Sequence, residues 1–312
     1  MRLRYFSIIV VLAALAGGEE TVRHPFTGVT HIHRTESVPR PVSMHLLKID
    51  LTAPGLSFKL TPPRREPGAR ETLRQTTRAF LEQEHAQLAI NGHFFEPFPS
   101  AEPDADLVGL AASQGDVFSA FEQPRQSYAL VARAPALNID AENRAAIVHA
   151  DPHDPTGRRV REAVTLHTTL SGSAQVITAG VLTIPEYSGN TKPEGLLTPG
   201  GPGNYSNAKS WYEVPAARTI AGLSADRRTL FLFVVDKAGG SQGLTVTEAA
   251  GLLLSDYAIH DALNLDGGGS VTLVEENTAG GTGRFLNVPS DGPLGRVVAS
   301  SLAIFAQRPA AE

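Results

Sequence analysis

Short strands outnumber helices in the pattern of apolar and polar positions along this chain. Most predicted elements either alternate apolar and polar residues or form a brief apolar run between turn residues. Strands are predicted at residues 43–50, 56–60, 87–91, 127–132, 145–148, 165–170, 174–179, 218–223, 229–236, 262–265 and 271–274. Residues 71–84 and 245–255 show helical spacing, and the Gly/Pro-rich residues 184–207 are predicted to form a long surface loop. The pattern therefore predicts an α+β fold with a mixed, largely antiparallel β-sheet core and flanking helices.

The first residues have the features of a signal peptide. Arg2 and Arg4 precede an apolar run that is too short to span a bilayer comfortably, and Ala14-Leu15-Ala16 fits the small-x-small cleavage rule. We therefore expect a signal peptide at residues 1–16 and an N-terminal extension at residues 17–40. The chain contains no Cys, so a lipid-anchored lipoprotein is not predicted. The expected location is secreted or periplasmic, and an uncleaved N-terminal anchor is the alternative.

Composition limits the partners of this protein. Of 312 residues, 42% are hydrophobic, which is enough for a sizeable core, and the formal net charge is −5. Because phosphate backbones require a basic face, this acidic balance argues against nucleic acid as a partner. No later apolar run approaches transmembrane length, so no stable membrane insertion is expected after signal cleavage. Without cysteines, stability must come from core packing rather than from disulfides.

The segment with the strongest chemical signal is Asn264-Leu265-Asp266-Gly267-Gly268-Gly269-Ser270, which lies between two predicted strands. Three consecutive glycines are tolerated where the backbone must adopt a positive φ or approach a ligand closely. Asp266 stands at the mouth of this turn, with Asn264 and Ser270 nearby. The alternative interpretation is an ordinary polar hairpin turn, because Gly and Asp are common turn residues.

A second group of polar residues surrounds the start of the later predicted helix. Thr245 and Glu248 fit the capping box, with Thr245 as N-cap and Glu248 at N3, and this motif alone explains Glu248 structurally. The exposed amides of such a helix start also attract anions. Arg218 begins a predicted strand, and Arg296 follows Asp291 in Asp-Gly-Pro-Leu-Gly-Arg. Each arginine is either a forked clamp for a phosphate or carboxylate or an ordinary surface residue.

Asn91-Gly92-His93 follows a short apolar strand, which suggests the rim of a pocket. His93 alone is equally consistent with a structural and with a catalytic histidine. Two other catalytic patterns are missing from the sequence: it contains no HExxH and no P-loop pattern Gly-x-x-x-x-Gly-Lys-Ser/Thr.

Together these segments resemble the phosphodiester glycosidase family. The resemblance rests on ordered blocks over most of the chain, at residues 91–95, 217–219, 241–248, 262–270 and 287–292. It implies a catalytic domain over residues 41–312 that hydrolyses the C1–O bond of sugar-1-phosphodiesters, of the α-N-acetylglucosamine type. Family members are expected to carry a small residue, often Gly or Thr, where this chain has His93.

The resemblance also implies roles for the candidate residues. Asp266 and Glu248 would form a carboxylate pair that stabilises an oxocarbenium-like C1 and activates water or attacks C1. Arg218 would hold the phosphate and stabilise the departing charge. No cofactor is expected to be required, with a divalent cation, Ca²⁺ or Mg²⁺, as the alternative. The expected substrate-binding residues are Asn91, His93, Thr245, Asn264, Gly267, Gly268, Ser270, Asp291 and Arg296.

Two other functions stay open at this level. The first is a non-catalytic envelope protein that binds glycans, which would need no paired carboxylates. The second is a metal-dependent phosphodiesterase that cleaves P–O rather than C–O. In that case Asp266, Asp291 and Glu248 would ligate Mg²⁺ or Ca²⁺ through oxygen atoms.

Overall fold

The computed structural model describes residues 10–13, 18–121, 133–184, 214–277 and 281–309. Strands make up 41% of the structure and helices 9%, with two α-helices in the described part. The expected α+β fold with flanking helices is therefore wrong, because the protein is mostly β. The strands are β1 (Val10–Ala13), β2 (Glu19–Phe26), β3 (Val29–Glu36), β4 (Val42–Asp50), β5 (Ser57–Leu60), β6 (Thr72–Leu73), β7 (Gln75–Thr76), β8 (Leu88–Asn91), β9 (Phe95–Glu96), β10 (Asp104–Leu107), β11 (Ala111–Ser113), β12 (Asp116–Ser119), β13 (Ala136–Ile139), β14 (Ala145–Val148), β15 (Thr168–Ser171), β16 (Ala174–Thr178), β17 (Val181–Leu182), β18 (Arg218–Leu223), β19 (Thr229–Val235), β20 (Asp261–Asn264), β21 (Leu273–Glu275), β22 (Arg284–Phe285), β23 (Val297–Val298) and β24 (Ser301–Phe305). The helices are α1 (Thr77–Glu84) and α2 (Val246–Tyr257).

Every strand pair in the described residues is antiparallel, so the prediction of a mixed sheet is also wrong. The largest sheet has nine strands in the order β1-β2-β3-β4-β19-β18-β20-β16-β17. Two five-stranded sheets follow the orders β22-β21-β8-β24-β5 and β12-β11-β15-β13-β14. Tight turns, such as the one between β18 and β19, return the chain antiparallel, whereas a parallel pair needs a long crossover connection.

The segment expected to be an N-terminal extension contributes strands to the nine-stranded sheet. Here β2 pairs with β3, and β3 pairs with β4 over eight residue pairs. The edge strand β1 pairs with β2 alone.

Both helices cover sheets with their apolar faces. Helix α2 buries Val246, Ala249, Ala250 and Leu253 against the nine-stranded sheet. Helix α1 buries Phe80 against the sheet that contains β8 and β24. Each large side chain buried in this way contributes about 1.5–3 kcal/mol. The main core lies between the sheets and joins residues of β4, β8, β13, β19, β21 and β24.

The sequence prediction is wrong at one helix boundary and cannot be compared with the structure at two other segments. The helix expected at 71–84 begins only at Thr77, because the preceding residues pair as β6 and β7 and Thr76 Oγ1 caps the helix by accepting from Ala79 N. The strand expected at 127–132 and nearly all of the loop expected at 184–207 lie outside the described residues. Within the described part, no helix is long and apolar enough to cross a membrane.

The route of the chain places the glycine-rich segment between two sheets. It leaves the nine-stranded sheet at the end of β20, passes through the three glycines, and enters the neighbouring sheet as β21. The ends of β8 and β18 lie at the same point, as the contacts below show. Asn91 and the glycine turn that follows Asp266 are therefore brought together where the two sheets meet.

Candidate active site

The glycine turn depends on the absence of side chains. Gly268 has a φ of 58°, in the left-handed region that favours glycine. Its amide donates to Ala217 O at 2.8 Å. A Cβ on Gly267 would lie 3.0 Å from the same carbonyl oxygen, and a Cβ on Gly269 would overlap the guanidinium of Arg296. The turn therefore packs tightly against β18 on one side and against Arg296 on the other.

Asn91 holds the backbone of Asp266 in place. Asn91 Nδ2 donates to Asp266 O at 2.7 Å, and Asp266 N donates to Gly92 O at 3.1 Å. The Asn91 Oδ1 atom accepts from Thr219 Oγ1 at 2.9 Å and from Thr272 N at 3.1 Å. The Asn91 side chain is fully buried. It therefore links the backbone of Asp266, the side chain of Thr219 and the backbone of Thr272, and it does not face solvent.

The carboxyl group of Asp266 is buried, with 8% of the residue exposed. Burial raises the pKa of Asp266 to about 7, while the hydroxyl of Ser270 and the positive charge of Arg296 oppose that rise. Loss of water around a carboxylate favours the protonated form. A carboxyl group with a pKa in this range can gain or lose a proton at neutral pH, as general acid–base catalysis requires.

Arg296 lies beside this carboxyl group and is held from three sides. Its Nε donates to Asp291 Oδ2 at 2.6 Å, and its Nη1 donates to Ser270 Oγ at 3.3 Å. The guanidinium lies 4.6 Å from the centre of the Phe98 ring, which meets Phe95 edge-on. The sequence analysis did not identify Phe98. The only local signal was a cluster of aromatic residues after the Asn91 strand.

The start of helix α2 forms a second polar group. Thr245 Oγ1 accepts from Glu248 N at 3.1 Å, and Thr245 N donates to Glu248 Oε2 at 2.8 Å, which completes the capping box. Arg40 also donates to Glu248 Oε2 and to Gly243 O. Burial raises the pKa of Glu248, but the bonds from Arg40 and Thr245 outweigh it and leave the pKa below its usual value. Sequence analysis did not identify Arg40, because no local pattern links it to a helix two hundred residues away.

Arg218 is buried next to this helix start. Its Nε donates to Leu244 O at 2.9 Å, and its Nη2 donates to Val214 O at 3.0 Å. Burial lowers the pKa of Arg218 to about 10, and the carboxylate of Glu248 opposes that shift. Arg218 therefore carries its positive charge at neutral pH, with backbone carbonyl groups as direct partners.

Residues 216–218 connect the two polar groups. Ala216 exchanges backbone hydrogen bonds with Leu244 at 3.0 and 3.1 Å, beside the start of α2. The next residue, Ala217, accepts from Gly268 in the glycine turn. Residues 216 and 217 are therefore bonded both to the residue before the start of α2, which carries Thr245 and Glu248, and to the glycine turn that follows Asp266.

His93 lies inside the protein and not at a pocket rim. Its Nδ1 lies 3.0 Å from Ser300 Oγ, and its Nε2 lies 3.0 Å from both Ser171 N and Leu110 O. The side chain is fully buried, and burial lowers its pKa to about 4. The imidazole is therefore neutral at pH 7 and bridges strands around the site.

Asn264 is also buried, with 2% of its surface exposed. Its Nδ2 donates to Ser173 Oγ and to Leu265 O, both at 3.0 Å. Its Oδ1 makes no hydrogen bond within the described residues. The amide therefore ties β20 to the start of β16 directly before Asp266.

The three carboxylates considered as metal ligands do not form one cluster. Asp291 pairs with Arg296, and Glu248 pairs with Arg40, while Asp266 is buried beside Ser270. Over the ranges that the structure describes, no three His, Asp or Glu side chains are arranged to hold a metal ion.

A comparison with protein-family models identifies the family of this chain. The family model for phosphodiester glycosidase matches residues 84–305, which contain the glycine turn, the capped helix and every candidate site residue. The chain belongs to the phosphodiester glycosidase family. A comparison with curated proteins found no match.

Three solved structures share the fold at low sequence identity. The catalytic domain of zebrafish N-acetylglucosamine-1-phosphodiester alpha-N-acetylglucosaminidase, auto-inhibited by its pro-peptide, is 19% identical with a TM-score of 0.60, and the match covers 94% of this chain and 89% of that one. A hypothetical protein from Synechocystis is 14% identical with a TM-score of 0.58, and the match covers 90% of this chain and 62% of that one. A Burkholderia pseudomallei protein described as exported is 17% identical with a TM-score of 0.53, covering 87% and 75% of the two chains. At these identities the likeness concerns the fold alone.

Proposed function

We propose that this protein hydrolyses sugar-1-phosphodiesters at the C1–O bond, with α-N-acetylglucosamine-1-phosphodiesters as the substrate type. Family membership supports hydrolysis of a phosphodiester-linked sugar. The zebrafish enzyme, whose name specifies an N-acetylglucosamine-1-phosphodiester, shares the fold over most of both chains.

One observation carries the proposal: a buried carboxyl group, that of Asp266, is held on a glycine turn beside an arginine. Its pKa of about 7 lets it act as a base toward water at slightly alkaline pH. Ser270 and Arg296 both interact with it, so its orientation is set before substrate arrives. Such preorganisation is a main source of enzymatic rate enhancement.

Arg296 is the group that we assign to the phosphate. Phe98 supports one face of the guanidinium, while Asp291 and Ser270 fix its plane. A guanidinium held in this way can bind two phosphate oxygens at once and stabilise charge that develops on them. Arg218 contributes positive charge from deeper in the protein, since its donors already bind carbonyl oxygens.

Glu248 is the second carboxylate of the proposal. The pKa of Glu248 is lowered, whereas the pKa of Asp266 is raised. Glu248 is therefore the ionised member of the pair, and Asp266 is the member that exchanges protons near neutral pH. Environments that push two pKa values apart in this way are typical of acid–base pairs in active sites. The ionised Glu248 would stabilise positive charge at C1.

The proposed reaction breaks the C1–O bond to phosphate and one O–H bond of water, and it forms a C1–O bond to the water oxygen and an O–H bond on Asp266. The C1–O bond breaks, and the phosphomonoester leaves with the bonding electrons. Water attacks C1, its oxygen stays on the sugar, and its proton passes to Asp266. Because a phosphomonoester is a good leaving group, the reaction needs less help from a strong general acid than ordinary glycoside hydrolysis.

We further propose that the reaction requires no cofactor and that the protein is exported. The predicted signal peptide and the fold shared with a Burkholderia protein described as exported support export. Within the described residues, cleavage after Ala16 would remove the edge strand β1 and would break no pairing between the remaining strands. Full activity after treatment with a metal chelator, and a mature N-terminus near Gly17, are the expected results.

The experiment that tests the function is hydrolysis of UDP-GlcNAc and a panel of α-sugar-1-phosphodiesters in H₂¹⁸O. We compare the wild type with Asp266→Asn and with the matched control Asp226→Asn. Asp226 lies in the turn after β18, at the opposite end of this strand from Arg218. Label in the released sugar, lost in Asp266→Asn and kept in Asp226→Asn, is the expected outcome.

Three other outcomes of this experiment would contradict the proposed function or the proposed role of Asp266. Label in the phosphate would show P–O cleavage and replace the glycosidase by a phosphodiesterase. Equal turnover by Asp266→Asn and wild type would remove Asp266 from the reaction. Glycan binding without turnover by the wild type would favour the non-catalytic envelope protein.

A further inference from the structure

Asp236 is a buried carboxyl group outside the residues assigned above. It follows directly after β19 and has 1% of its surface exposed. Its Oδ1 accepts from Asn287 Nδ2 at 3.1 Å and from Val288 N at 3.0 Å, and its Oδ2 accepts from Ser43 Oγ at 3.1 Å. Three donors from two distant parts of the chain therefore meet on one carboxylate.

Two of these donors belong to the base of the segment that carries Arg296. Asn287 also accepts from Leu273 N at 2.7 Å and donates to Val271 O at 3.3 Å, directly after the glycine turn. Further along the same segment, Ser290 Oγ donates to Gly268 O at 3.3 Å. Asp236 thus fixes the starting point of residues 287–296, and their other end holds the guanidinium next to Asp266.

The backbone around Asp236 is tied to the approach to helix α2 as well. Ser241 Oγ donates to Asp236 O at 2.7 Å and accepts from Ser43 N at 3.0 Å. Ser241 belongs to the short segment that leads to Thr245 and Glu248. Asp236 therefore contacts both the segment that carries Arg296 and the segment that leads to Thr245 and Glu248.

We propose that Asp236 is a positioning residue of this active site, whose carboxylate holds residues 287–296 so that Arg296 faces the substrate phosphate. The inference rests on the proposed function for the claim that Arg296 faces a substrate phosphate. The role of the Asp236 carboxylate in holding residues 287–296 does not depend on that function. Asp236 touches neither Asp266 nor Arg296 in any described contact, so its effect must pass through Asn287 and Val288.

The groups around Asp236 make its charge dependent on pH. Burial raises the pKa of Asp236 to about 6, and the bonds from Asn287, Val288 and Ser43 oppose that rise. The imidazole of His45 lies 3.9 Å away, and burial lowers its pKa to about 3. At pH 7 the carboxylate is therefore ionised and faces neutral histidine rather than imidazolium.

The remaining titratable and charged neighbours lie on β2, β3, β21 and β22 and, as Lys237, directly after Asp236. His33 stacks on His45 at 4.2 Å and contacts Ser43 Oγ at 3.2 Å, while His31 hydrogen bonds to His45 at 3.0 Å. Arg23 donates to His31, and both Arg23 and Arg284 pair with Glu275. Lys237, next to Asp236, donates to Gln242 O instead.

A cleft of about 370 Å³ borders this group. It is lined by residues of β2, β3 and β4 on one side and of the β22 region on the other, with Asp236 among them. As pH falls through about 6, the carboxylate gains a proton and accepts hydrogen bonds less strongly. The base of residues 287–296 should then loosen. Asp266, whose pKa is raised to about 7, gains a proton over an overlapping pH range in wild type and in Asp236→Asn alike, so the difference between the two proteins reports Asp236.

The first test compares the kinetics of Asp236→Asn, wild type and the control Asp226→Asn on the phosphodiester that the wild type hydrolyses fastest. Loss of a charge-assisted hydrogen bond predicts a rise in KM of about 10-fold, with kcat changed by less than about 3-fold. For the wild type, KM should rise as pH falls from about 7 to about 5, whereas KM of Asp236→Asn should vary little. An unchanged KM in Asp236→Asn would overturn the proposal.

The second test needs no turnover and separates the two proposals. Hydrogen exchange of the amides in residues 287–296, expressed as protection, should fall in Asp236→Asn but not in Asp226→Asn. A protein that hydrolyses nothing but shows this loss would refute the proposed function and leave the mechanical role of Asp236 intact. Normal protection in Asp236→Asn would refute the positioning role even if hydrolysis is confirmed.

A second variant covers the case in which Asp236→Asn does not fold. Asn287→Ser removes the amide that donates to Asp236 from the other side of the contact and leaves the carboxylate in place. The same rise in KM and the same loss of protection are expected. Wild-type values of both quantities in a folded Asn287→Ser protein would contradict the proposed path.

Discussion

Replacing Asp266 by asparagine should stabilise the folded protein at alkaline pH while it abolishes hydrolysis. Asparagine has nearly the same shape as aspartate, but it carries no charge that burial could penalise. The carboxyl group of Asp266 is buried, and its pKa rises from 3.8 to about 7. The wild-type protein therefore ionises this group at the expense of folding free energy.

The magnitude follows from the proton balance between the two states. Between pH 3.8 and about 7 the unfolded chain has lost the proton and the folded protein has kept it. Because the unfolded state binds fewer protons there, the free energy of unfolding falls as pH rises, and each pKa unit corresponds to about 1.4 kcal/mol. The full penalty above pH 7 is about 4 kcal/mol, of which about 2–3 kcal/mol develops between about pH 5 and about pH 8.

The assay is chemical denaturation of wild type and Asp266→Asn at about pH 5 and about pH 8. The quantity of interest is the difference in unfolding free energy between the two proteins, because other titrating groups cancel in it. We expect Asp266→Asn to gain about 2–3 kcal/mol relative to wild type between the two pH values.

The control Asp226→Asn should show no change relative to wild type between these two pH values. The hydroxyl of Ser224 and the amide of Arg228 hold the pKa of Asp226 below its ordinary value, so this carboxylate is ionised in both the folded and the unfolded state at both pH values. A difference between Asp266→Asn and wild type that does not change with pH would refute the raised pKa of Asp266. It would also remove the reason for assigning proton exchange to this residue.

Three further substitutions test the site. Gly269→Ala should reduce kcat/KM by about 10-fold or more in steady-state assays, because the new Cβ overlaps Arg296 and displaces it. Thr245→Ala should lower the unfolding free energy by about 1 kcal/mol in denaturation experiments, since it removes the hydroxyl that accepts from Glu248 N. His93→Leu should lower it by about 1–3 kcal/mol in the same experiments, because it leaves buried polar groups without a partner. A Gly269→Ala enzyme with wild-type kinetics, or a His93→Leu protein of unchanged stability, would contradict these contacts.

Local motifs were predicted well from the sequence. The capping box of Thr245 and Glu248 is present as expected, because it involves residues three apart whose geometry any helix start provides. The expectation that the segment after Asp266 needs glycine is met by the positive φ of Gly268 and the close approach of Ala217. The family resemblance is confirmed over residues 84–305. The catalytic and binding roles of individual residues stay proposals.

The fold class was predicted wrongly for a physical reason. Apolar spacing near 71–84 favoured a long helix, but its first residues bond to β10 and β23, which lie far away in the sequence. Strand pairing of this kind overrides local propensity, because each pairing satisfies backbone groups that a helix would satisfy internally. The result is a mostly β protein with two short helices in its described part.

The amino-acid sequence by itself determined which residues can act: a carboxylate before three glycines, a capped helix and two arginines that can clamp an anion. Only the tertiary structure decided what surrounds them. It placed Phe98 under Arg296, Arg40 on Glu248, and His93 in the interior. The carboxyl group of Asp266 is buried because residues that are far apart in the chain together exclude water from it. This burial raises the pKa of Asp266 to about 7. No local pattern encodes that exclusion, because it exists only once the two sheets have met.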